Sequence, residues 1–149
     1  MMKPYVFAVC EKVIFDVQGT ASLINLFNRV DAYLVTSTEP IPANAIMPFP
    51  WSVFTSWDVG PEDVERKFTQ VLEVLNPDGS IFNEHRIEIV TQRGKDHHQV
   101  EARFPGFPIG QEGSYSVRTR LEQDGIVIFE SSAIKIQLTH GSVPTPQPQ

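Results

Sequence analysis

Disulfide chemistry is closed to this chain, because Cys10 is the only cysteine among its 149 residues. The thiol ends the apolar run Val6-Phe7-Ala8-Val9-Cys10, where a small buried side chain is the ordinary outcome. A nucleophilic role would need an activating base, and no pattern supplies one. Long hydrophobic runs are also missing. No segment approaches the ~20 apolar residues that cross a bilayer. The run near the N-terminus is interrupted by Glu11 and Lys12, is shorter than a secretory core, and has no small-x-small cleavage site. A cytoplasmic protein without a membrane segment is expected.

Positive charge is scarce: 12 Lys and Arg face 18 Asp and Glu, for a formal net charge of -6. Binding to nucleic acid draws most of its affinity from clustered cations, so no nucleic-acid partner is expected. Recognised catalytic and nucleotide-binding motifs are absent as well. There is no Gly-x-Ser-x-Gly elbow, no Gly-x-Gly-x-x-Gly turn and no phosphate-binding Gly-x-x-x-x-Gly-Lys loop. These absences predict a chain that is not an enzyme and holds no cofactor.

Strand patterning is abundant. Tyr115, Val117 and Leu121 alternate with Ser116, Arg118, Arg120 and Glu122, the period of a half-buried strand. Asp124-Gly125 supplies the positive φ of a tight hairpin turn. The returning strand ends with Ile134, Ile136 and Leu138 on one face. Tyr5–Phe15 is rich in β-branched and aromatic residues, and Met47–Trp57 places Phe49, Trp51, Val53, Thr55 and Trp57 on one side. Phe82–Thr91 and His98–Phe104 alternate in the same way. Turn chemistry separates them at Asp16–Gly19, Pro40–Asn44, Asn76–Gly79 and Arg93–Asp96. The segment from Phe104 to Gly110 holds too many breakers for a central strand and reads as a proline-rich loop.

Two segments fit either helix or strand. Pro61–Leu75 carries a helical stripe of Val64, Phe68, Val71, Leu72 and Leu75, with Pro61 suited to a first helical position. Read with period two, Phe68, Leu72 and Val74 face inward, and Gln70 and Val71 are misfits. The turn that follows at Asn76–Gly79 favours a hairpin, hence strand from Val64 to Leu75. Ser22–Val35 is read as strand because Tyr33–Thr36 continues in extended style. The expected fold is all-β: an antiparallel β-sandwich of about eight strands, immunoglobulin-like or C2-like in general architecture. Residues 1–139 form its single domain, and 140–149 a disordered Pro-rich tail in which Pro144, Pro146 and Pro148 alternate.

Three stretches carry a resemblance: Tyr5–Glu11 with Asp16, Gly19 and Ser22–Leu26; Pro61–Asp63 leading to Phe68–Gln70 and Asn76–Gly79; and the Gly113–Tyr115 strand with its Asp124-Gly125 turn. Together they resemble a bacterial family of small β-sandwich proteins of unknown function. The resemblance covers roughly residues 4 to 138, implies strands for both ambiguous segments, and carries no activity to any residue.

Candidate chemistry is thin. His85, His97, His98 and His140 lack the spacing of a metal site, and adjacent His97 and His98 on a strand point to opposite faces. Asp16, Asp58, Asp63, Asp78, Asp96 and Asp124 lie in loops, where calcium binding is weighed against local turn hydrogen bonding, and the turn role is preferred. Trp51, Trp57, Phe104 and Phe107 are the candidate ligand-binding residues. Exposed, they would form a stacking platform for a sugar or a small ligand; buried, they are core between two sheets, which their alternation favours. The preferred function is protein–protein interaction or self-association through edge strands. A small-ligand or carbohydrate module is the alternative, and an enzyme built on loop residues such as His85, His97 or His98 stands third.

Overall fold

In the computed structural model, which describes residues 1–34 and 40–142, ten strands form two packed sheets and no α-helix is present among those residues. The strands are β1 (Lys3–Phe15), β2 (Ala21–Leu26), β3 (Arg29–Leu34), β4 (Ile46–Asp58), β5 (Lys67–Leu75), β6 (Ile81–Val90), β7 (His97–Pro108), β8 (Gly113–Gln123), β9 (Ile126–Glu130) and β10 (Ile134–Ser142). The first sheet has the order β2-β1-β4-β7. The second runs β3-β10-β8-β5-β6, with β9 also paired to β8. The all-β sandwich is therefore the observed class.

Ten strands replace the expected eight because two long segments each break in the middle. Ser22–Val35 divides at Phe27-Asn28, so that β2 stays in the first sheet and β3 crosses to the second. There β3 pairs with β10 in parallel, which departs from a purely antiparallel sandwich. Ile126–Leu138 divides at 131–133, giving β9 and β10 successive halves of the same β8 edge. Ser131 spans the break: its N–H donates to the Thr119 carbonyl at 2.9 Å, and its hydroxyl accepts from the Thr119 N–H at 2.9 Å.

Pro61–Asp63 is one turn of 3-10 helix, Val64 and Glu65 form a turn, and the strand expected from Val64 starts at Lys67 as β5. Both misfits obey the alternation once their surroundings are seen. Gln70 faces inward, buried, and Val71 faces outward yet is fully covered. Val71 lies opposite Arg86 on one side and Arg120 on the other, whose aliphatic stems can roof an outer-face residue. The segment after Phe104 also corrects an expectation. It is not a loop: β7 continues through Pro108 as an edge strand, where a missing N–H donor costs the ladder nothing. A Cβ on Gly106 would collide with Ile46 and the Met47 carbonyl, so glycine is required where β4 approaches.

Residues 140–142, expected in the tail, are part of a strand instead. His140, Gly141 and Ser142 belong to β10 and pair with Ala32, Tyr33 and Leu34. Residues 143–149, with Pro144, Pro146 and Pro148, lie outside the described part, as do residues 35–39.

The main core joins Val9, Trp51, Val53, Phe104 and Phe107 of the first sheet to Leu72, Val74, Tyr115, Val117, Ile136 and Leu138 of the second. A second cluster near the other end holds Met2, Trp57, Phe68, Ile89, Val100 and Leu121. A third lies outside the sandwich. Strand β1 pairs with β4 only up to Cys10 and with β2 only from Cys10 onward. Past that point the β1–β2 ribbon coils back over the outer surface of the first sheet. Val13 and Leu23 pack there with Cys10, Val6 and Phe54, and the Phe15 ring lies 6.2 Å from that of Phe54.

Candidate functional site

The four aromatic candidates are core residues. Trp51 and Trp57 are 2% and 0% exposed, and Phe104 and Phe107 are 5% and 0% exposed. The Trp51 ring stacks on Phe104 with centroids 4.3 Å apart and an interplanar angle of 16°, while its Nε1 donates to the Gly106 carbonyl at 2.8 Å. Phe107 sits between Trp51 and Tyr115, at 5.5 and 5.3 Å. With all four rings buried, none offers the exposed face that a stacking platform of Trp51, Trp57, Phe104 and Phe107 would need.

Trp57 belongs to a buried polar knot between the sheets. Its Nε1 donates to Gln70 Oε1 at 3.0 Å, and Gln70 Nε2 donates to the hydroxyls of Thr55 and Thr119, each at 3.0 Å. Thr119 in turn donates to the Val71 carbonyl at 3.1 Å. Every polar atom of the Gln70 amide is used inside the fold, which marks the knot as structural.

The histidines are dispersed. His97 Nδ1 lies 2.9 Å from Asp58 Oδ1, beside the Tyr5 ring at 5.7 Å. His98, its neighbour in β7, lies opposite Trp57 in the ladder. Burial, then the Lys95 charge, hold the His98 pKa below the ordinary 6.5. His85 meets the Phe104 ring edge-on at 5.2 Å, and its buried Nε2 has no partner among the described residues. His140 Nε2 lies 2.7 Å from the Ile109 carbonyl. His97, His98, Lys95, Gln92, Gln99 and Gln18 border a polar cavity of about 340 Å³. The Asp58–His97 pair could polarise a nucleophile, but no hydroxyl or thiol hydrogen-bonds to His97 among the described residues.

Of the candidate aspartates, Asp16, Asp78 and Asp124 serve their own turns, whereas Asp58 faces His97. Asp16 Oδ1 accepts from the Gln18 and Thr20 N–H groups at 2.8 and 2.9 Å. Asp78 accepts from the Ser80 N–H and hydroxyl, which hold its pKa below the usual carboxylate value. Asp124 takes a φ of 52° ahead of Gly125 in the β8–β9 turn. Among the described residues, no three His, Cys, Asp or Glu side chains converge on a metal position.

What remains is the sheet edges. Strand β7 carries Arg103, Pro105 and Pro108; β6 carries Glu84, Arg86 and Glu88; and β3 carries Arg29 and Asp31. Charge and proline are the usual defences of an edge. Strand β2, Ala-Ser-Leu-Ile-Asn-Leu, has neither. Its outer side and that of β1 expose Ile14, Ile24 (39% exposed) and Leu26 (66% exposed), and Val17 at the tip of the turn is fully exposed. Sequence reasoning missed this surface. The available signal was apolar residues at both parities of the hairpin: Val13 and Leu23 serve one face, Ile14 and Ile24 the other.

Similarity to known proteins is confined to architecture. No family model matches the chain, and no curated protein matches it. Among solved structures, it is similar to part of a glycosyl hydrolase family 2 member from Bacteroides cellulosilyticus, with 17% identity and a TM-score of 0.51. That match covers 66% of this chain and 14% of the hydrolase, so the chain spans a small fraction of that protein's length. It also aligns with the CARDB domain of a Pyrococcus furiosus protein at 10% identity and a TM-score of 0.40, covering 91% of this chain and 89% of that one. The first likeness shows a β-sandwich fold and nothing of activity.

Proposed function

We propose that this chain is a non-enzymatic β-sandwich domain that acts by binding another protein chain or a copy of itself through an exposed strand edge. The observation that carries this reading is β2: free on one side among the described residues, without charge or proline, and backed by exposed Ile14, Ile24 and Leu26. An unpaired row of backbone donors and acceptors beside apolar side chains is the surface that strand addition uses. A nucleic-acid partner fits poorly. Arg29, Arg86, Arg93, Arg103, Arg118 and Arg120 each face a carboxylate of the same chain, which leaves few cations for phosphates. Among the described residues, no helix is long and apolar enough to cross a membrane. A cytoplasmic setting and kinship with the bacterial sandwich family that the sequence resembles are consistent with this role.

The test compares the wild-type chain with an Ile24→Glu variant, in immobilised capture from lysate and in hydrodynamic mass. Loss of capture or of self-association in the variant is the expected result. A wild-type chain that neither associates with itself nor retains any protein in an edge-dependent way would overturn the proposal.

A further inference from the structure

We infer that the occupant of the β2 edge is the β2 strand of a second copy, paired antiparallel about a two-fold axis so that two first sheets join into one. This inference rests on the strand-addition reading above and narrows it. Its geometry follows from the hairpin. Asn25 takes a φ of 54°, which turns the chain after Ile24 and ends the ladder that can be extended. The regular part is Ala21–Ile24, and a two-fold pairing that keeps each side chain on its own face places one Leu23 opposite the other. Ser22 of one copy then lies opposite Ile24 of the second.

Side-chain size suits that register. Ser22 is paired with Ile14 across the hairpin, and Ile24 with Lys12. One outward row of the joined sheet therefore reads Ile14, Ser22, then Ile24 and Lys12 of the other copy, and the two-fold repeats it in reverse. The small serine leaves room for the facing isoleucine to reach toward Ile14, so exposed apolar atoms of both copies cover each other. Leu23, on the axis, is held from beneath by Val13 and the Phe54 cluster, which keeps the edge straight before any partner arrives.

Charge favours a copy at this edge over contact elsewhere. Each chain carries a formal charge of -6, so most surfaces of two copies repel. Strand β2 contributes no charge, and the lysines stand at opposite ends of the outward rows, where they do not face each other. Two-fold pairing of identical surfaces is also the commonest form of self-assembly.

Sedimentation equilibrium over a wide concentration range, with a cysteine-pair experiment, tests this. The wild-type mass should climb toward twice the monomer value with concentration. Ile24→Glu should weaken association by about tenfold or more through a charge placed in the seam. Its new carboxylate gains Lys12 as a cross-strand partner, so the hairpin should keep its fold, and an unchanged near-UV circular dichroism spectrum checks that. In the full chain, Ser22→Cys with Ile24→Cys should oxidise to a covalent dimer, whereas either single change should not. A wild-type chain that stays monomeric with no covalent dimer overturns the second copy. Edge-dependent capture of a different protein would still uphold strand addition in that case. A dimer indifferent to Ile24→Glu, with no cross-link, also overturns this pairing while self-association survives at another surface.

Discussion

Substituting Gln70 by leucine tests whether the buried amide holds the two sheets in register. Leucine keeps most of the volume and removes the acceptor of the Trp57 indole and the donor to Thr55 and Thr119. Thr119 retains its bond to the Val71 carbonyl, so the largest loss is the indole N–H, stranded in a site with no exposure. A buried donor without a partner costs about 1–3 kcal/mol, and the two hydroxyl bonds add roughly another 1 kcal/mol. The expected destabilisation is therefore about 2–4 kcal/mol. For a chain of this length that lowers Tm by roughly 4–16 °C. Trp57→Phe strands the Gln70 carbonyl oxygen instead and empties part of the ring's volume. The double variant removes both orphans, so it should cost about 1–3 kcal/mol less than the sum of the single changes. Urea unfolding with an unchanged m-value is the assay, since a shift of midpoint alone then reports stability. A Gln70→Leu chain within about 0.5 kcal/mol of wild type, or strict additivity in the cycle, would refute the knot as a stabilising element.

Three further outcomes follow from the same geometry. Both indoles should emit as buried fluorophores, resist aqueous quenchers, and show no spectral change with any glycan; a sugar-dependent shift would restore the stacking platform. His85→Leu should leave stability unchanged or raise it by up to about 2 kcal/mol, because it removes a buried nitrogen that has no partner among the described residues; a clear loss in thermal melts would mean that the nitrogen is paired. His98 binds its proton less readily in the folded chain than the ordinary 6.5, so the unfolded chain takes up that proton first as pH falls. Stability contributed at this position is complete above about pH 7 and declines from about pH 6.5 downward until the folded His98 itself protonates, and His98→Asn should flatten that slope in urea midpoints measured across the window.

Local pattern in the sequence carried the strands, and distant pairing decided the rest. Gly113–Gln123 and its Asp124-Gly125 turn were readable because alternation and positive φ are properties of adjacent residues. The break at Phe27-Asn28 was not, since β3 leaves for a strand more than a hundred residues later, and nothing at positions 22–35 names Gln137–Ser142 as its neighbour. Gln70 looked like an error of period because alternation registers polarity and cannot register a tryptophan N–H waiting on the facing sheet. Pro105 and Pro108 argued correctly against a central strand, but a breaker excludes the centre of a sheet and leaves the edge open. Alternation already favoured core for the aromatic candidates, and contacts such as Trp51 on Phe104, which join β4 to β7 across some fifty residues, fix that burial.

The absence of charge from β2 acquires its meaning only from the coil of the hairpin. Had the ribbon continued flat beyond Cys10, Val13 and Leu23 would have stood in water with Ile14 and Ile24, and Phe54 would have lain bare on the outer face. Folding the ribbon back covers Phe54 with one apolar face and turns the other outward. A strand needed only as that cover could carry lysine or glutamate on its outer side at little cost, as β6 does with Glu84, Arg86 and Glu88. Ser22 and Ile24 occupy those outward positions instead. In β2 the missing edge protection falls on the positions a partner strand would touch, and that is the physical ground for the docking proposed there.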